Sequence, residues 1–99
     1  MTIGQIKRII EEMITDLKFK LSLASGNYDF YISYDKDMAL ENAHSAFLLY
    51  RKINELKSIK IDYLDIDTLQ RIEEYITLLR KEDYFKSDEI DAFIKIVRG

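Results

Sequence analysis

Cysteine and proline are absent from this chain of 99 residues, histidine occurs once and glycine three times. Without cysteine there is no disulfide framework, no thiolate nucleophile and no thiolate zinc site. The three glycines, Gly4, Gly26 and Gly99, are too far apart for a glycine-rich phosphate loop. Long apolar runs are also missing. The opening MTIGQIKRIIEEMITDLKFK sets Lys7, Arg8, Glu11, Glu12, Asp16, Lys18 and Lys20 among its apolar residues, so a secretory leader is not expected. Nothing approaches the roughly 20 apolar residues that cross a bilayer. The expectation is a cytoplasmic chain with at most peripheral membrane association. A net charge of −3 gives no general attraction to phosphate backbones.

What is present describes one folded domain over residues 1–99. Apolar residues make up 47% and charged residues 33%, the balance of a globular protein and not of a disordered one. Ile3, Ile6, Ile10, Met13, Leu17 and Leu21 recur at three- and four-residue steps and predict a helix over residues 3–24. Thr2 and Gln5 stand at capping-box spacing before it, and Ser25–Gly26 supply a stop, the glycine suiting a left-handed cap. A second helix is predicted over 37–57. Leu40, Ala43, Phe47 and Tyr50 make one stripe on it, and Ala46, Leu49, Ile53 and Leu56 an adjacent one. Together they predict contact with two neighbouring helices. Ala39, Ala43 and Ala46 permit a close approach.

SIKIDYLDID alternates like a strand, but a lone strand needs a partner, so a connection is the preferred reading. A third helix is predicted over 68–81, capped by Asp67 with Gln70, its core stripe being Leu69, Ile72, Ile76 and Leu79. The loop KEDYFK leads to a fourth over 88–98, with Ser87 as cap, Asp88 and Glu89 in its first turn, Ile90, Phe93, Ile94 and Val97 inward, and Lys95 and Arg98 in its last turn. DYLDIDTLQRIEEYI and DYFKSDEIDAFIKIV look alike, each reading as a helix entry with an aromatic before the cap. The sum is an all-α chain, an antiparallel four-helix bundle.

Most chemistry can be tested and set aside. His44, one turn after Glu41, has no second histidine or cysteine to complete a metal site. Taking Asp65 as the first ligand of a calcium loop puts Gln70 where glycine belongs and Ile76 where the bidentate glutamate belongs. Glu11–Glu12 and Glu73–Glu74 are sequence neighbours, so on helices they diverge by about 100° and do not converge on a cleft. A helix-turn-helix built from the last two helices would present Asp88, Glu89 and Asp91 to phosphates and base edges, the wrong sign for nucleic acid. No enzyme activity, metal or cofactor is expected.

Two aromatic stretches remain. GNYDFYISYDKD, Gly26 to Asp37, joins the first two helices, and its tyrosines either cover the end of the bundle or form a recognition surface. Tyr84 and Phe85, flanked by Arg80, Lys81 and Lys86, form a mixed basic and aromatic turn, the better binding candidate. From Asp67 to Val97 the chain resembles the bacteriocin immunity proteins of the enterocin A immunity type. Arg71 and Tyr75 lie one turn apart, a basic segment follows, then Phe85 near the hydroxyl cap Ser87, then an apolar fourth helix. The resemblance implies a cytosolic, non-enzymatic four-helix bundle that protects a cell from pediocin-like bacteriocins. It also implies a protein partner, a mannose phosphotransferase permease with bacteriocin bound, and a C-terminal half that carries specificity. By position the contact candidates are Arg80, Lys81, Tyr84, Phe85, Lys86, Lys95 and Arg98. The alternative is a small inhibitor, encoded by a phage or mobile element, that binds a host protein.

Overall fold

The computed structural model describes residues 2–79 and 86–99. The molecule is all-α with four helices and, among the described residues, no strand: α1 Ile3–Tyr31, α2 Lys36–Lys57, α3 Ile66–Leu79 and α4 Ser87–Arg98. A single 3-10 turn, Ile61–Tyr63, interrupts the connection between α2 and α3. The stretch read as a connection is therefore one.

α1 begins as its cap predicts. Thr2 Oγ1 accepts from the Gln5 backbone N–H at 3.2 Å, and Gln5 Oε1 accepts from the Thr2 N–H at 2.7 Å. Its end differs from expectation. The helix passes through Ser25 and Gly26 and stops at Tyr31, seven residues beyond the predicted end. Gly26 takes no left-handed conformation, for Gly99 alone among the described glycines has a positive φ. The reason is packing. Leu17, Leu21, Ala24, Tyr28 and Tyr31 keep the helical step and face α2, and extending that seam outweighs the roughly 1 kcal/mol that a mid-helix glycine costs. The chain reverses after Tyr31, whose carbonyl accepts from the Tyr34 and Asp35 N–H groups at 3.0 and 2.8 Å. Asp35 then caps α2, its carboxylate accepting from the Met38 N–H at 3.2 Å.

Two further caps shift. Asp65, not Asp67, caps α3: its Oδ1 accepts from the Thr68 N–H at 2.7 Å, while Asp67 is exposed in the first turn. α4 starts at Ser87 itself. Lys86 precedes it in extended conformation, and its N–H donates to the Glu89 carboxylate at 3.4 Å. Lys86 thus takes the cap position predicted for Ser87, and Glu89 supplies the acceptor.

Lengths govern the architecture. At about 1.5 Å per residue α1 and α2 run about 44 and 33 Å, against about 21 and 18 Å for α3 and α4. All four helices therefore overlap only at one end of a molecule 52 × 23 × 18 Å across. The core lies there: Ile6, Ile10, Met13 and Leu17 of α1 meet Ile53 and Leu56 of α2, Ile61, Ile72 and Ile76, and Ile90, Phe93 and Ile94 of α4. Ion pairs Lys52–Asp91 (3.1 Å) and Glu55–Arg98 (3.2 Å) tie α2 to α4, and Lys7–Asp62 (3.0 Å) ties α1 to the connection. Beyond this base the second half of α1 and the first half of α2 continue as a two-helix arm. Ala24, Ala39 and Ala46 line its narrow seam, and Ala43 lies half-buried at the seam's edge.

Candidate functional site

Most of the basic and aromatic turn proposed from sequence, Arg80, Lys81, Tyr84 and Phe85, lies outside the described residues. Of the other contact candidates, Lys86 is exposed at the start of α4, and Lys95 and Arg98 are exposed in its last turn. The length of α4 separates Lys86 from that pair by roughly 13–18 Å, so the structure does not gather the three into one patch. Arg98 is also engaged, its guanidinium 3.2 Å from Glu55.

Arg71 and Tyr75, the pair on which the family resemblance turns, have local roles. Arg71 reaches the Thr68 hydroxyl at 3.5 Å. The Tyr75 hydroxyl donates to the Glu89 carbonyl at 3.2 Å and clamps α3 to α4. Partial burial, then the negative charges of Glu89 and Asp88, raise the phenol above its ordinary value. His44 and Glu41 both face solvent. Among the described residues no group of three or more His, Cys, Asp or Glu is placed to hold a metal ion. A broad groove beside α3 is lined by Gln70, Glu73, Glu74, Thr77 and Leu78, all from one helix, so among the described residues no second element brings a converging group.

The arm carries what the sequence reading did not foresee. The stripe Leu40, Ala43, Phe47 and Tyr50 was expected to pack on a neighbouring helix. Instead Leu40, Phe47 and Tyr50 are 66%, 58% and 55% exposed. The second stripe, with Ala39 added, is the one that makes the seam with α1. α3 and α4 are too short to cover the first stripe, and α4 takes the face of α2 that bears Lys52 and Glu55. Lys52 and Tyr50 are two residues apart, about 160° round the helix, so that face is nearly opposite the stripe. Phe19, Leu23 and Phe30 form a further exposed row on the outer side of α1. Their spacing of four and seven residues, off the core stripe, was the available signal in the sequence.

At the tip, the stretch from Gly26 to Asp37 is the end of α1, its turn and the cap of α2. Tyr28 and Tyr31 are half-buried against the seam, which is the covering role. Phe30 and Tyr34 are 63% and 60% exposed, so they do not share that covering role. The rings of Phe30, Tyr31 and Tyr34 sit 5.1–5.5 Å apart, mostly edge to face, so the exposed pair is held by its neighbour and not left loose. No known family model, curated protein or solved structure matches this chain.

Proposed function

We propose that this protein is a non-enzymatic binding protein whose arm docks its aromatic tip on a protein partner. Following the resemblance of residues 67–97, we take that partner to be a mannose phosphotransferase permease occupied by a pediocin-like bacteriocin, met from the cytosolic side. The protein then acts as an immunity protein. The observation that carries the binding reading is the ordered cluster of Phe30, Tyr31 and Tyr34 at the far end of a 52 Å molecule. Interface cores favour such rings, which bring large area at small entropic cost because each has two torsions. Among the described residues no helix is long and apolar enough to cross a membrane. Lys86 and Lys95 on α4 offer charged contacts at the other end.

Expression in a sensitive lactic-acid bacterium tests this reading. Cells carrying the gene are expected to survive at least one pediocin-like peptide that kills the parent strain. Phe30→Ala combined with Tyr34→Ala is expected to abolish protection while leaving far-ultraviolet helicity unchanged. Failure to protect against the whole panel of such peptides overturns the immunity reading. Full protection by the double variant overturns the role of the tip alone.

A further inference from the structure

The exposed stripe on α2 is a separate matter from the tip, and it has the form of half an interface. Leu40, Ala43, Phe47 and Tyr50 follow a 3-4-3 spacing, the a/d pattern of two heptads. Lys36, four residues before Leu40, and Asn54, four after Tyr50, bound it with polar groups. Beside it a shallow groove opens between the arm's helices, lined by Ser25, Tyr28 and Asp29 of α1 and Ala43 and Ala46 of α2. Nothing in the chain's described residues occupies that face.

We propose that a second copy of this chain does, the two α2 helices packing antiparallel about a two-fold axis near residue 45. Three observations select that occupant. The first is shape. The antiparallel register sets Phe47 against the partner's Ala43 and Leu40 against the partner's Tyr50, so each ring meets a smaller side chain. A parallel pairing would set Phe47 on the partner's Phe47 and Ala43 on the partner's Ala43, giving a collision beside a void. The second is charge. Asp37 and Arg51 are exposed, two heptads apart on one flank of the stripe. Antiparallel packing brings Asp37 within reach of the partner's Arg51, and by symmetry this happens at both ends. It also sends the two Lys36 side chains to opposite ends of the seam, whereas a parallel pairing would place them together. The Arg51 guanidinium already lies 6.0 Å from the Phe47 ring centroid, at the rim where such a contact is needed.

The third is area. From residue 36 to residue 54 the face is about 27 Å long and, across two helices side by side, about 20 Å wide. That projects to about 500 Å² per copy, so that both copies together reach the ~1,000 Å² expected of a specific interface. The product is a four-helix layer made of two arms, which supplies along the arm what α3 and α4 supply at the base.

Sedimentation equilibrium of the full chain between about 1 and about 100 μM tests the proposal, a range that brackets micromolar association. The expected result is a mass that rises from 11.8 kDa to twice that value. Phe47→Glu is expected to weaken association by about tenfold or more, with unchanged helicity, since that side chain is exposed in the single chain. The absence of cysteine makes the register testable too. Chains carrying Leu40→Cys, mixed with chains carrying Tyr50→Cys, are expected to cross-link to each other and not to themselves. A single-chain mass at the highest concentration overturns the proposal and leaves the stripe to a different partner. Self-linking of Leu40→Cys as fast as mixed linking overturns the antiparallel register.

Discussion

Gly26 is where a single residue misdirects a reading of this chain. A glycine after a serine, where a regular apolar stripe of aliphatic residues gives out, carries every local mark of a left-handed cap. The apolar positions after it are aromatic and embedded among polar residues, so their continuation of the stripe is weak in one dimension. Only the opposing surface of α2 makes Tyr28 and Tyr31 part of the same face. The glycine is therefore a mid-helix residue with ordinary backbone angles, and an added Cβ would meet nothing within 4 Å. Gly26→Ala is expected to stabilise the protein by about 0.5–1 kcal/mol, through helix propensity and a less flexible unfolded chain. A thermal melt followed at 222 nm checks it, and an unchanged or lower midpoint would mean that α1 breaks at this position.

At the scale of elements, the start of α3 shows how closely placed alternatives escape sequence reasoning. Asp65 and Asp67 each precede a helical stripe and differ by one half-turn. Its spacing to Gln70 favours Asp67 in one dimension, but the buried Thr68 and the half-buried Leu69 have to face the core. That fixes the phase of the helix and leaves the cap to Asp65. The backbone hydrogen bond from Thr68 holds the Asp65 carboxyl below its ordinary value of 3.8. A depressed folded value means that the charged cap stabilises fully above that ordinary value. Its contribution is lost as the pH falls through the depressed value. Asp65→Ala is thus expected to lower the melting temperature at pH 7, with the gap to the unaltered protein closing in acid below 3.8. Asp67→Ala is expected to leave the melting temperature nearly unchanged. Equal effects of the two substitutions would return the cap to Asp67.

For the whole molecule the decisive quantity is the mismatch of helix lengths. Both long helices need a short pair to bury them, and that pair reaches only the base. Phe93, with no exposed surface, is central there among residues of all four helices. Phe93→Ala is expected to cost about 3–5 kcal/mol, a large share of a total stability of about 5–15 kcal/mol. Urea denaturation measures it, and a loss under 1 kcal/mol would show that α4 is not seated as described. Phe47, equally aromatic and equally in phase with a helical stripe, belongs to no such cluster. Periodicity finds the faces of helices but does not say which face meets which. Leu40, Phe47 and Tyr50 read as core for that reason and lie in the open.

Helix content, the absence of strands among the described residues, the capping box at Thr2 and the core positions of α3 and α4 were legible in one dimension. They depend on interactions between residues a few positions apart, or on a stripe that any core would bury. The length of α1, the choice between neighbouring caps and the exposure of the arm were decided in three dimensions. Each depends on how far one helix extends beside another, and local spacing carries no measure of that.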